Sequence, residues 1–160
     1  MDVISPATPD DSLTALLHPR SIAIIGASDD PARIGGRPLA YTRDAGFDGP
    51  IFPVNPRRAT VQGLPAFPTI ADVPQPVDTA IIAVPAPAVV ETVEACAGAG
   101  VKAVVVFSAG FAETGDEGRR RQDALTAIAR ASGMRIVGPN CLGIYNSAIG
   151  FYATFTTTLE

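Results

Sequence analysis

Histidine and lysine each occur once in these 160 residues, tryptophan not at all, and cysteine only twice, at Cys96 and Cys141. Each scarcity excludes something. One histidine and two distant cysteines are too few for a dedicated zinc site, and they leave no basis for a disulfide framework. His18 is the lone side chain able to serve a Ser-His hydrolase as base, and no G-x-S-x-G elbow accompanies it. With Lys102 the single lysine, a formal net charge of −4 and no ladder of aromatics, the chain offers no basic surface for nucleic acid. No apolar run nears the ~20 residues that a membrane helix needs, and the longest, 101–107, contains Lys102. Met1-Asp2-Val3-Ile4-Ser5-Pro6 has no basic region followed by an apolar one, so it does not read as a secretion signal. The expectation is a cytoplasmic protein with no metal, membrane or nucleic-acid partner.

What is present is an apolar chain, 47% hydrophobic and 18% charged, of a length that suits one domain able to bury its own core. Residues 1–15 read as a loose leader, in which Ser12 can cap a short helix over 13–17. Residues 16–146 read as the folded domain. Residues 147–160, rich in Thr and aromatics, read as a tail with no closing element, leading toward a further domain. Within 16–146, apolar strand-like runs at 21–25, 51–54, 78–84, 102–107 and 135–137 alternate with helical stretches at 38–45, 87–97 and 117–131, the last capped by Asp116. The stretch 63–76 is irregular. "DTAIIAV" and "KAVVVF" are continuous apolar runs of the kind that parallel strands buried on both faces show. The pattern predicts a Rossmann-like α/β fold: a doubly wound, mainly parallel sheet of five or more strands with helices on both faces. Ligands on such sheets bind beyond the carboxyl ends of the strands. That rule selects five loops.

The first, "IIGASDDPARIGG", begins as a dinucleotide fingerprint and departs from it. G-x-G-x-x-G would need glycines at 26, 28 and 31; the chain has Gly26, Ala27, Ser28 and Pro31, with Gly35-Gly36 delayed to the next helix. Glycines at a helix start let backbone N–H groups meet a phosphate, although they can equally serve only to turn the chain. The second loop, Val54-Asn55-Pro56-Arg57-Arg58, lacks the carboxylate that an NAD ribose requires. Its arginines suit the 2′-phosphate of NADP or the 3′-phosphate of coenzyme A, or form a solvated pair. In the third, Val84-Pro85-Ala86-Pro87, two prolines remove N–H donors and leave an apolar rim for an adenine or a pantetheine arm, or Pro87 simply starts the helix. The fourth, Ser108-Ala109-Gly110-Phe111, offers a hydroxyl without a catalytic setting. The fifth, Gly138-Pro139-Asn140-Cys141, brings an amide and a thiol to the same edge; packing or ligand contact is favoured for Cys141 over redox or acyl-carrying chemistry. Cys96 falls on the apolar face of a helix.

Five stretches, "HPRSIAIIGAS", "PVNPRR", "VDTAIIAVPA", "GVKAVVVFSAGFAETG" and "GPNCLG", occur in one order across residues 16–146. In this the chain resembles the coenzyme A-binding domain of the NDP-forming acyl-CoA synthetases, which include ADP-forming acetyl-CoA synthetases and the alpha subunit of succinyl-CoA synthetase. The resemblance implies CoA rather than a nicotinamide, held by Gly26, Ala27, Ser28, Gly35 and Gly36 at its phosphates. Val54, Asn55, Pro56 and Arg57 would serve the nucleotide phosphates, with Arg57 where the family often has lysine. Val84 and Pro85 would flank adenine or pantetheine, and Ser108, Ala109, Gly110, Phe111, Asn140 and Cys141 would line the path to the thiol. It implies no catalytic residue in this chain: an acyl phosphate, a phosphohistidine domain and an ATP-grasp domain do the chemistry elsewhere, so the domain alone would not turn over. An NADP-dependent oxidoreductase domain and the regulatory CoA-binding domain of a protein acetyltransferase are the alternatives.

Overall fold

Short runs of β-branched and small apolar residues punctuate the chain, and the central ones, Ile22–Ile25, Thr79–Ile82 and Ala103–Val106, become strands with both faces covered. The computed structural model describes residues 9–159, with side chains from residue 11 onward. In chain order the elements are α1 (Pro9–Leu17), β1 (Ile22–Ile25), α2 (Arg37–Asp44), β2 (Ile51–Val54), β3 (Thr60–Val61), β4 (Leu64–Pro65), β5 (Thr79–Ile82), α3 (Ala86–Gly98), β6 (Ala103–Val106), α4 (Asp116–Ser132), β7 (Arg135–Val137), β8 (Gly143–Asn146) and β9 (Phe151–Thr154). Five of the strands form one sheet in the order β2-β1-β5-β6-β7, every pair parallel. This is the Rossmann-like α/β sheet that the alternating pattern predicts. The order reverses at β1: β2 lies on one side of it, and the chain then crosses to place β5 on the other.

Successive residues of a strand point to opposite faces, and the core divides accordingly. Ala23, Ile25, Ala80, Ile82, Val104 and Val106 pack with Val89, Val93 and Cys96 of α3 and Leu125 of α4. Their neighbours Ile22, Ile24, Ile81, Ala103 and Val105 pack with Ala15 and Leu16 of α1, Leu39 of α2, and Phe151 and Ala153 of β9. Cys96 is fully buried on α3, as its helical spacing predicts, and burial pushes its thiol up to about 12.

Three expectations are corrected. The helix expected over 13–17 starts at Pro9, so residues 9–15 are not loose: α1 lies against β6 and β7 and buries Ser12, Ala15 and Leu16. The remainder of the expected leader, residues 1–8, lies outside the described residues. The stretch expected as a tail without a closing element, 147–160, supplies β9, which pairs antiparallel with β8, packs on α2 and places Phe151 in the core. Asp116 is not the cap of α4. Gly115 holds that position with φ +104, a conformation that favours glycine, and Asp116 sits in the first turn, where its charge suits the helix dipole.

At the amino edge of the sheet, Asp78 ties three chain segments together. Its carboxylate accepts hydrogen bonds from the backbone N–H of Arg20 (3.0 Å) and from Arg20 Nε (3.1 Å), and Lys102 Nζ lies 3.6 Å away. Its carbonyl accepts from the N–H groups of Lys102 and Ala103. Burial alone would raise the Asp78 pKa, but Arg20, with Lys102 adding charge, holds it below the usual carboxylate value. The opposite edge is free for loops.

Candidate functional site

The five loops selected from sequence all leave the carboxyl edge, and hydrogen bonds join the first to the second and tie the third and fifth to the fourth. Gly26 and Ala27 donate their N–H groups to the carbonyl of Val54, and Asn55 Nδ2 donates to the carbonyl of Ala27 at 2.9 Å. The Ser108 hydroxyl donates to the Val84 carbonyl at 2.5 Å, and the Asn140 N–H donates to the Ser108 carbonyl at 3.0 Å. Ser108 is therefore engaged as a donor that ties two loops together. No histidine stands beside it to activate it: His18 contacts Asn146, 3.3 Å from its side-chain amide.

The first loop is a compact turn whose shape requires Gly35 and Gly36. A Cβ on Gly35 would overlap the Gly26 carbonyl oxygen, and one on Gly36 would overlap that of Asp30. Gly26 itself has φ +85 and lies against the Ala83 carbonyl, where any side chain would be both strained and blocked. The N–H of Ser28 donates to Gly35, that of Gly36 to Arg33, and that of Asp30 to the Ser28 hydroxyl. The glycine pair thus lets the loop close on itself before α2 begins; its backbone approaches the loop's own carbonyls.

Two clefts open on either side of Gly26, where the strand order reverses. The larger, about 1010 Å³, is polar and lined by Gly26, Ala27, Ser28, Gly35 and Asn55, with Asp29, Asp30, Arg33 and Arg58 supplying charge. Arg58 Nη1 lies 3.2 Å from Asp29 Oδ2, and Arg33 Nε lies 3.7 Å from Asp30 Oδ2. All four side chains are about half exposed or more, so both ion pairs are weak and exchangeable. The smaller cleft, about 290 Å³, is largely apolar. Ile25, Val54, Pro56, Pro68, Ile70 and Val84 contribute to its wall. A polar cleft beside an apolar one, meeting at a glycine, suits a ligand that carries phosphates at one end and an apolar or aromatic group at the other.

The sequence matches the family described as the CoA binding domain over residues 20–147. The chain belongs to that family. It is 44% identical over 148 residues to the alpha subunit of acetate–CoA ligase [ADP-forming] II of Pyrococcus furiosus, covering 92% of this chain and 32% of that subunit. It is 42% identical to a trans-feruloyl-CoA synthase from an unidentified prokaryote, covering 93% of this chain and 21% of that enzyme. Among solved structures, the dinucleotide-forming acetyl-coenzyme A synthetase 1 of Ca. Korarchaeum cryptofilum, in complex with phosphate and ADP, superposes with a TM-score of 0.83. That pair is 38% identical, over 91% of this chain and 31% of that one. The chain therefore spans a third or less of the length of these relatives.

Within this CoA-binding domain, the expected site residues separate into groups. Gly26, Ala27, Ser28, Gly35 and Asn55 line the polar cleft; Gly26, Val54, Pro56 and Val84 line the apolar one. Gly36, Arg57, Pro85, Ser108, Ala109, Gly110, Phe111, Asn140 and Cys141 line neither. Arg57 is exposed, its N–H held by Asn55 Oδ1 at 2.8 Å, and it is Arg58 that faces the polar cleft. Pro85 caps α3, and Gly110 lies against Ala86 at the start of that helix. Phe111 is fully buried, an anchor for the fourth loop rather than a wall for a ligand; Glu113 accepts from the Gly110 and Phe111 N–H groups, which hold its carboxyl below the usual range. Cys141 is half buried with its thiol 3.4 Å from the Val106 carbonyl; burial raises its pKa against the backbone N–H groups of Gly143 and Cys141, which favour the thiolate. Sequence reasoning missed Asp29, Arg33 and Gln62. The first two sit inside the quoted loop, and charged residues next to glycines at a helix start were the available signal. Gln62, just before the stretch read as irregular, gave none.

Proposed function

We propose that this chain binds coenzyme A as a substrate for a larger cytoplasmic acyl-CoA synthetase of the NDP-forming type. The observation that carries the reading is the pair of clefts at Gly26, with two arginines on the polar side and no carboxylate at the end of β2 to hold an NAD ribose. The phosphates of CoA would enter the polar cleft and displace Asp29 and Asp30 as partners of Arg58 and Arg33, with Arg57 at the rim toward the 3′-phosphate. The adenine or pantetheine would lie against Val54, Pro56 and Val84. The domain contributes binding and orientation of the thiol. Formation of the acyl phosphate and transfer through a phosphohistidine belong, in this reading, to ATP-grasp and phosphohistidine domains as partners, since the chain's own His18 is engaged with Asn146 away from the rim.

Calorimetry with CoA, dephospho-CoA, NADP and NAD tests the reading. CoA is expected to bind, dephospho-CoA more weakly, and Arg58→Ala to raise the Kd for CoA about tenfold, the loss of one charge-assisted phosphate contact. Arg57→Ala should have the smaller effect. NADP binding as tightly as CoA would overturn the assignment.

A further inference from the structure

β3 and β4 are two residues each, and between them the chain turns at Gln62 and Gly63, with φ +48 and +82. Two positive φ values in a two-residue connection are the signature of the hairpin turn that Asn-Gly or Gly-Gly makes most easily. Glutamine in the first position is conformationally unfavourable, so its side chain is the feature to explain.

That side chain reaches back across the loop that forms the polar cleft. Gln62 Nε2 donates to the carbonyl of Ser28 at 3.0 Å and to the carbonyl of Gly36 at 2.9 Å, gripping both ends of the turn between them. Two carbonyl acceptors fix which end of the amide is nitrogen. The Gln62 N–H donates to Asp29 Oδ1 at 2.7 Å, and the other oxygen of Asp29 faces Arg58 at 3.2 Å. The Gln62 carbonyl in turn accepts from Arg43 Nη1 at 3.0 Å. One residue, far from the loop in sequence, thereby sets the span of residues 28–36 and the anchorage of the cleft's arginine.

We propose that Gln62 is a positioning residue for the CoA phosphates: it holds the loop at the width the ligand requires and, through Asp29, orients Arg58 for exchange onto phosphate. The inference rests on the CoA reading above, deepening it.

Gln62→Asn is the decisive variant. Asparagine suits the left-handed turn at least as well as glutamine but is one methylene too short to reach Ser28 and Gly36. Gln62→Glu keeps the length and places an acceptor where two carbonyls need a donor. For both, the Kd for CoA is expected to rise about tenfold or more, two hydrogen bonds being lost from the loop. The urea midpoint of Gln62→Asn is expected to fall only slightly, the easier left-handed turn offsetting part of the lost hydrogen bonding. Without ligand, amide exchange at Ser28 and Gly36 should accelerate about tenfold or more in both variants, while Ile24 and Ile81 stay protected. Unchanged exchange at Ser28 and Gly36 would overturn the clamp, and faster exchange with an unchanged Kd would overturn its role in binding. Failure of the wild type to bind CoA would refute the ligand assignment instead, a result told apart because exchange is read without ligand.

Discussion

At the scale of single residues, position in the packing decides what a side chain contributes more than its chemical type does. The two thiols illustrate this. Cys96 is fully enclosed against the sheet and its pKa is pushed up to about 12, whereas Cys141, its pKa also raised by burial, is partly exposed at the carboxyl edge. Since the thiolate is the reactive form, a thiol reagent at pH 8 should modify one equivalent per chain in the native state, at Cys141, and a second only after urea unfolding. Mass spectrometry of the modified peptides checks it; native labelling of Cys96 would contradict the packing. Phe111 makes the same point from the other side: read as a neighbour of the ligand path, it is the buried plug that seats its loop. Gly35 and Gly36 stand out in the sequence between a strand and a helix, and the task they perform in the fold is steric, allowing the chain to close over Gly26 and Asp30.

At the scale of elements, the sheet was readable and the pieces that brace it were less so. The strands β1, β5 and β6 announce themselves because both faces are buried, leaving uninterrupted runs such as Ile22-Ala23-Ile24-Ile25 that no surface element would carry. The β8–β9 hairpin hid because its pattern is masked. Ile144, Phe151 and Ala153 face the core, but Tyr145 and Tyr152, stacked at 5.5 Å on the outer face, are also apolar in composition, so the alternation is lost in the letters. The hairpin nonetheless secures α2, with Phe151 fully buried beside Phe47. Phe151→Ala is expected to lower stability by about 3–5 kcal/mol through the cavity it leaves, read as a lower urea midpoint. A change below about 1 kcal/mol would show that the hairpin is dispensable. The Gln62 contacts escaped sequence reading for another reason: they join positions 26 and 34 residues apart, and no local pattern encodes such a pairing.

At the scale of the whole molecule, the parallel sheet has two unlike edges, one fastened and one open. The fastened edge centres on Asp78, whose carboxyl is held below its ordinary pKa by Arg20 and Lys102 against the opposing effect of burial. A carboxyl with a depressed folded-state pKa gives stability that is fully present above its unfolded value of about 4 and lost as pH falls through the folded value. Unfolding free energy should therefore decline as the pH is lowered from about 4. Asp78→Asn should lose about 2 kcal/mol at neutral pH, removing a hydrogen-bonded charge, and should flatten that acid limb. Urea titrations from pH 2.5 to 7 decide it, and an unchanged slope would refute the assignment. The same edge carries the chain's single lysine, Lys102, with a third of its side chain exposed. Any amine-directed attachment through a side chain must then occur there, at the end of the sheet away from Gly26 and both clefts. A sensor surface or fluorophore coupled at Lys102 would therefore sit at the opposite end of the sheet from both clefts and leave the carboxyl edge facing outward.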